Sequence, residues 1–322
     1  MFGQYFRPKD LVLLILALLS GIFYLSFLWL IYRKRKEAPF NSSFFQLCFF
    51  LGVGDCLALT TNYALAKIPL WAWFPRVNRY FVELDGGANV LPTVIGFVLY
   101  YFNWWQHQGA QFRPIMLMAV NRMCAICYPT TYKQLFADRV LKWLYAVVFV
   151  GAALLNTAIV SSGIKFVMDN STSSIFYIWL REEDFLPINL TFTIGAYGLA
   201  GVSAVCYAIC FVAMYRRNKS NATAASAGPT SIAAEVKLLV VGFVTFLVEV
   251  VIAQFYLLVL VTRGSGALMY YMMTFFWQPA IEVFTWMNPY LVFIMSSKVR
   301  KQYRGMLGLD KEESKVISVK TR

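Results

Sequence analysis

The chain has few charged residues and a single histidine. Charged residues make up 14% of its 322 residues, against about 25% in soluble globular proteins. One histidine, His107, supports neither a His-rich metal site nor a Ser-His-Asp constellation, and the sequence contains no glycine-rich phosphate loop. These absences argue against most enzymes and against a soluble fold. We therefore expect no enzyme activity and no cofactor.

Cysteine is scarce outside the apolar stretches. All six cysteines lie within apolar runs or at their ends, so no extracellular disulfide framework can be drawn. Cys124 and Cys127 have the spacing of a redox or metal pair, but no further metal ligands accompany them. Buried thiols are the preferred interpretation. We expect no metal centre built from these residues.

Long apolar runs account for the low charge. Hydrophobic residues make up 59% of the chain, and the mean hydropathy is +0.59. A run of about 20 residues crosses a hydrocarbon core of about 30 Å as a helix. We predict seven such spans, at residues 11–31, 44–66, 94–127, 140–163, 188–215, 236–262 and 268–295. The fold class is therefore all-α, an integral membrane bundle of seven transmembrane helices.

The basic residues indicate how the bundle is oriented. Most of the 29 lysines and arginines fall in segments that are cytoplasmic if the N-terminus is outside, beginning with residues 33–36. The net charge of +13 thus reflects topology rather than nucleic-acid binding. We predict an outside N-terminus and a cytoplasmic C-terminus. In that orientation the acceptor pattern at Asn170 is outside and glycosylated, whereas those at Asn41 and Asn221 are inside.

The segments between and after the spans have their own patterns. Residues 67–89 predict an aromatic, charged outer loop, and the small polar residues of 216–234 predict a flexible loop. We divide the chain into a receptor domain, residues 1–296, and a cytoplasmic tail, residues 297–322. Ser297 can cap a short amphipathic helix in this tail, with Val299, Tyr303 and Met306 on its apolar face.

Charged residues also occur inside the apolar runs. Three acids, Asp55, Glu249 and Glu282, accompany one base, Arg113. Charges in hydrocarbon must pair, become neutral or contact water, so we expect one acid to pair with Arg113. The others are then protonated or hold a cation. The alternative is that an acid, above all Glu249, lies nearer an interface than the span limits suggest.

Polar residues in the third and seventh spans predict a small-molecule pocket. Trp104, Gln108 and Gln111 follow i, i+4, i+7 spacing and share one helical face. His107 is the one histidine of the chain; a lone histidine is more often structural than ligand-binding, and both interpretations remain open. The predicted ligand-binding residues are Trp104, His107, Gln108, Gln111, Gln278 and Glu282.

An Asn121-Arg122 pair ends the third apolar run. An arginine costs about 2.5–3.5 kcal/mol at a helix centre and less near the headgroups, so Arg122 is expected at the inner end of its span. It either contacts a cytoplasmic partner there or extends to lipid phosphates.

The motifs Asn121-Arg122-Met123 with Tyr128-Pro129, and Asn288-Pro289-Tyr290 leading to Ser297-Lys298-Val299-Arg300, resemble those of nematode serpentine chemoreceptors of the Srg superfamily, class gamma or class v. The resemblance spans essentially the whole chain. More distantly, the same motifs and Asp55 resemble those of rhodopsin-like receptors. The sequence departs from that pattern in lacking a cysteine at the outer end of the third span and a proline in the sixth, and in having an asparagine before Arg122.

The resemblance implies a chemosensory G-protein-coupled receptor in the plasma membrane of sensory cilia. A small-molecule ligand and a heterotrimeric G protein would be its partners, alongside membrane lipids. G-protein coupling would involve Asn121, Arg122, Asn288, Pro289 and Tyr290, and a sodium ion near Asp55 is a further implication. A ligand-gated channel or transporter is the alternative, against which the outside N-terminus and the missing internal repeat count.

Overall fold

A computed structural model describes residues 8–68, 74–85, 90–99, 112–162, 164–168, 175–179, 185–221, 229–262 and 278–309. Long helices dominate these ranges, and α2 continues through a π-helical turn at Asn62–Lys67. In chain order the elements are α1 (Pro8–Arg33), α2 (Ser43–Thr61), α3 (Pro75–Asp85), α4 (Val90–Leu99), α5 (Phe112–Cys127), α6 (Pro129–Leu135), α7 (Asp138–Ser162), β1 (Ile164–Met168), β2 (Ile175–Trp179), α8 (Phe185–Asn221), α9 (Pro229–Thr262), α10 (Gln278–Met295) and α11 (Ser297–Met306).

Several helices carry apolar residues on their outer surface as well as in the core. Within the described ranges, four segments are long and apolar enough to cross a membrane. Large side chains on the outside of the bundle stay exposed, including Ile22 (67%) and Trp143 (67%). A helix that is hydrophobic all round belongs in a membrane or in a large core. The four segments are Leu11–Lys34, Ser43–Leu65, Thr193–Arg217 and Val236–Phe255.

The main core contains aromatic and aliphatic residues of α1, α2 and α5, joined by residues of α7, α8, α9 and α10. Phe27, Phe44 and Met118 are among its largest fully buried side chains. A second cluster around Tyr207 joins α5, α8 and α9. Small residues permit the closest approaches, since a Cβ added to Gly52 would lie 2.6 Å from Leu28 and 2.8 Å from Tyr24. Interiors have few voids to absorb such a contact, so α1 and α2 depend on glycine there.

We call the end of the bundle where α1 ends at Arg33, α5 ends at Cys127 and α11 begins at Ser297 the basic end. At this end α11 packs against α1 and α10. Val299 is fully buried, and the Tyr303 hydroxyl lies 2.6 Å from Ser26 Oγ. The predicted amphipathic helix is therefore present.

Two local features fix the limits of α11. Its N-cap is Ser296, whose hydroxyl accepts from the Val299 amide at 3.3 Å, so the prediction that Ser297 is the cap is wrong by one residue. At the other end Gly308 adopts φ +76. The amide of Leu309 then bonds the Arg304 carbonyl, as in a Schellman motif.

The predicted flexible loop at residues 216–234 is mostly wrong. Helix α8 continues to Asn221 and α9 begins at Pro229. Arginine and lysine are good helix formers, and proline fits the first helical position because it has no amide hydrogen to satisfy. Both helices therefore extend beyond their apolar runs at the basic end. Residues 222–228 lie outside the described residues.

The end of the bundle opposite to the basic end differs from the prediction in three places. Residues 67–89 include the helix α3, and Lys67 is buried in the π-helical turn rather than exposed in a loop. An antiparallel hairpin follows α7, with Ile164 opposite Trp179 and Met168 opposite Ile175. The helical bundle predicted from the sequence is confirmed, and this hairpin is an addition to it. Of the third span, α4 and α5 are described and residues 100–111 are not.

Candidate functional site at the basic end

Three side chains, from α2, α5 and α6, form a closed ring of hydrogen bonds. Asn121 is fully buried and its amide nitrogen donates to Ser43 Oγ at 2.8 Å. Ser43 Oγ lies 2.5 Å from the Tyr132 hydroxyl, which donates to Asn121 Oδ1 at 3.3 Å. The ring ties the start of α2, the end of α5 and the middle of α6 together. All three groups are neutral, so no charge is buried in it.

Arg122 lies beside this ring and is also buried, with 7% of its surface exposed. Its guanidinium carbon lies 4.0 Å from the centroid of the Phe44 ring, next to Ser43 in α2. An arginine stacked on an aromatic face is held by a cation–π interaction of about 0.5–2 kcal/mol. The guanidinium is thus oriented by protein.

The three consecutive residues Asn288, Pro289 and Tyr290 of α10 lie in three different environments. Asn288 is 3% exposed and its Oδ1 has no hydrogen-bond partner within the described ranges. Pro289 lies inside the helix, where it removes one backbone donor. Tyr290 stacks on Phe23 at 4.6 Å and its hydroxyl lies 3.1 Å from Ser20 Oγ. Tyr290 therefore packs against α1, while Asn121 and Arg122 pack against α2 and α6.

A second polar cluster lies toward the opposite end. Lys67 and Glu282 form an ion pair in which both side chains are buried. The Tyr63 hydroxyl donates to Glu282 Oε1 at 3.0 Å, and Lys67 Nζ lies 4.4 Å above the Tyr63 ring. Glu282 Oε2 has no hydrogen-bond partner among the described side chains and backbone. The cluster joins the π-helical turn to α10.

Sequence reasoning missed Lys67 because it followed the second apolar run and was assigned to a loop. Lys67 is therefore a second base beside the predicted acids, and the pairing of one acid with Arg113 stays a prediction. Arg113 lies in α5, but its side chain is outside the described residues. One signal was available: a basic residue one helical turn beyond an apolar run can remain in the bundle if an acid faces it.

The remaining predicted acids are both buried in the middle of their helices. The Tyr24 hydroxyl of α1 donates to Asp55 Oδ2. Glu249 in α9 is fully buried, and neither of its carboxylate oxygens has a hydrogen-bond partner in the described ranges. Glu249 is thus enclosed by the bundle, and its depth in the membrane stays a prediction. No group of three metal-ligating side chains occurs among the described residues, and the six cysteines are free.

Several predicted site residues belong to other parts of the chain. Trp104, His107, Gln108, Gln111 and Asn170 lie outside the described residues, and Gln278 begins α10 with its side chain outside them. The structure therefore leaves the predicted pocket as a prediction, except that Glu282 is now placed in an ion pair.

Comparison with known proteins identifies the class to which this arrangement belongs. A family model described as "Serpentine type 7TM GPCR chemoreceptor Srv" matches residues 13–309. The chain belongs to this family. Among curated proteins, the Caenorhabditis elegans serpentine receptor class V-1 is 25% identical over 153 residues, 47% of this chain and 45% of that protein. The chain thus aligns with less than half the length of that relative.

The Srv family assignment agrees with the fold. The crystal structure of squid rhodopsin matches with a TM-score of 0.64, covering 95% of this chain and 88% of that one at 14% identity. At that identity the likeness concerns the fold alone. The resemblance to nematode serpentine chemoreceptors is confirmed, with class v as the class, and this Srv chain is a multi-pass membrane protein of the G-protein-coupled receptor type.

Proposed function

We propose that this Srv protein is a chemosensory receptor that binds a small molecule and activates a heterotrimeric G protein through its basic end. The supporting observation is the environment of Arg122. Its guanidinium is stacked on Phe44, and the neighbouring Asn121 is held by a ring of neutral hydrogen bonds. Such a cation is oriented by protein at the end of the bundle, where a cytoplasmic partner can reach it when the helices separate.

The proposal includes an orientation and a location. The N-terminus is outside, the basic end faces the cytoplasm, and the receptor acts in the plasma membrane of sensory cilia. Asn288, Pro289 and Tyr290 take part by letting α10 bend, because Pro289 leaves a backbone carbonyl in the preceding turn without its usual donor. The ligand pocket uses Glu282 together with the residues predicted from the sequence, Trp104, His107, Gln108, Gln111 and Gln278.

Coupling is tested by replacing Arg122 with lysine. A lysine extends to lipid phosphate as readily as an arginine does, but it lacks the planar fork and five donors of the guanidinium. After an odorant screen has supplied an agonist, we expect Arg122→Lys to reach the surface and to lower agonist-stimulated guanine-nucleotide exchange at least about tenfold, a loss of roughly 1.4 kcal/mol.

The matched control is Arg139→Lys, since Arg139 is an exposed arginine at the same end. Exchange should be unchanged in this variant. Wild-type exchange in Arg122→Lys, at normal surface level, would contradict the coupling role of Arg122.

Orientation is tested independently by glycosylation. Asn41 lies between α1 and α2 at the basic end and Asn221 ends α8. If the basic end is cytoplasmic, a glycosidase mobility shift should disappear in Asn170→Gln and persist in Asn41→Gln and Asn221→Gln. Loss of the shift in Asn41→Gln would reverse the orientation.

A further inference from the structure

A cavity of about 360 Å³ lies between the end of α1 and α11. Its volume is within the range of about 300–1,000 Å³ that small-molecule sites occupy. Leu30 and Met306 form an apolar part of its lining, and Arg33, Lys34 and Gln302 form a polar part. The cavity therefore presents two cations and an amide beside a patch of hydrocarbon.

The position of the cavity indicates where its ligand comes from. Arg33 is the last residue of a 26-residue apolar helix, at the level where a span leaves the hydrocarbon. Just before it, α1 exposes Trp29 (56%) and Leu25 (59%) on its outer surface. A molecule with a charged head and an apolar tail can place its head in the cavity and its tail along α1. Those are the properties of a membrane lipid.

The surrounding charge selects an anionic headgroup. Exposed basic residues flank the cavity on both elements, Arg35 and Lys36 after α1, and Lys298, Lys301 and Arg304 on α11. Clusters of four or more basic residues directly after a transmembrane helix are typical of binding to phosphoinositides or phosphatidylserine. One acid competes with the ligand, because Glu37 accepts from Lys34 Nζ at 2.8 Å and 3.0 Å.

We propose that this cavity binds the phosphorylated inositol headgroup of a membrane lipid. A phosphate accepts from Arg33 in a bidentate manner and from Lys34 as a point charge. The Gln302 amide, which both donates and accepts, suits a ring hydroxyl. A phosphatidylserine headgroup has no phosphomonoester and adds a carboxylate and an ammonium to its phosphodiester, and the two cations repel that ammonium. The bound lipid then braces α11 against α1.

The test uses the full chain in phosphatidylcholine nanodiscs that contain either phosphatidylinositol 4,5-bisphosphate or phosphatidylserine at equal total lipid charge. Both leaflets of a nanodisc carry lipid, so the result does not depend on the cellular orientation or on G-protein coupling. Titration with fluorescently labelled lipid should give at least about fivefold tighter binding of the phosphoinositide, the effect of one well-placed basic residue. Soluble inositol trisphosphate at equal concentration should compete weakly, since it lacks the tail.

The decisive double variants each remove two positive charges, one pair inside the cavity lining and the other pair outside it. Arg33→Gln with Lys34→Gln should reduce the phosphoinositide preference to about one, whereas Lys36→Gln with Lys298→Gln, which removes two exposed cations outside the lining, should keep it. Gln302→Glu, with an added carboxylate in the lining, should also abolish the preference and serves if the double variant misfolds. Glu37→Gln should increase affinity.

Equal affinity of the wild type for the two lipids would overturn the proposal. A preference that survives Arg33→Gln with Lys34→Gln, or that is lost equally in the Lys36 and Lys298 control, would overturn it as well. Strong competition by inositol trisphosphate alone would show a soluble anion site instead of a lipid site.

Discussion

The two polar clusters of this receptor are built from different chemistry. At the basic end Asn121, Ser43 and Tyr132 are joined by neutral hydrogen bonds. Toward the opposite end Lys67 and Glu282 form a buried ion pair. Removing one partner of a buried neutral hydrogen bond costs about 1–3 kcal/mol, whereas removing one partner of a buried ion pair costs about 3–5 kcal/mol. The basic end can therefore rearrange at low cost, and the opposite end resists separation.

This difference fits the proposed activation of a G protein at the basic end. Under that proposal, the helices that separate are held by hydrogen bonds that water can replace once the site opens. A buried ion pair separates readily only if another charged or polar group takes the place of one partner, and a ligand can supply that group. If the proposed pocket is correct, Glu282 Oε2, which has no hydrogen-bond partner in the described ranges, is the atom that would accept from such a ligand.

The largest expected effect comes from breaking the ion pair. Lys67→Met leaves Glu282 without its cation and should destabilise the receptor by about 3–5 kcal/mol, unless the carboxylate takes up a proton. The combined Lys67→Met and Glu282→Gln variant removes both charges and should recover most of that loss. Thermal unfolding of the purified receptors and their surface levels measure it. A wild-type melting temperature for Lys67→Met alone would contradict the contrast between the two ends.

A smaller effect is expected from opening the ring at the basic end. Tyr132→Phe removes the hydroxyl that donates to Asn121 and should cost about 1–3 kcal/mol, because a buried acceptor loses its donor. Agonist-independent exchange should rise, since α5 and α6 are less firmly joined.

Gln46→Ala is the matched control for Tyr132→Phe. It removes a solvent-exposed hydrogen bond of 3.0 Å to Asp138 at the same end and should cost less than about 0.5 kcal/mol. If Tyr132→Phe and Gln46→Ala gave the same unfolding temperature, the ring would have no special role.

The smallest expected effect comes from adding a buried charge at the basic end, which makes that end chemically more like the opposite end. In Asn121→Asp the side chain becomes a carboxylate that accepts from the Ser43 and Tyr132 hydroxyls. Charge-assisted hydrogen bonds contribute about 1.5–3 kcal/mol, and the adjacent Arg122 offsets part of the cost of burying the charge. We expect agonist-independent exchange to fall a few-fold with a nearly unchanged melting temperature. Increased exchange would contradict this.

The helical bundle could be predicted from the apolar runs. The expectation that Arg122 lies near the inner end of its span rests on the cost of charge in a membrane and stays a prediction. The contacts of Asn121 and Arg122 could not be predicted, because a partner such as Ser43 is 78 residues from Asn121 in the chain. Such contacts depend on how the helices are placed against one another.

Lys67 shows a different limit. Its burial depends on the π-helical turn at Asn62–Lys67, which rotates the side chains beyond it relative to a continuous α-helix. A periodicity of 3.6 residues cannot reveal one extra residue in a turn. The hairpin β1–β2 was missed because its five-residue strands lie between the predicted fourth and fifth spans, where no regular element was predicted.

The contact between Tyr24 and Asp55 has a consequence for how the protein is made. Tyr24 belongs to α1, so the ribosome delivers it to the membrane before Asp55 arrives in α2. An aspartate costs about 2.5–3.5 kcal/mol when a span enters the lipid alone. Here its donor is already in place, and Gly52 lets the two helices meet closely. We expect α1 and α2 to leave the translocation channel as a pair, which Tyr24→Phe should delay in an in vitro insertion assay of the second span.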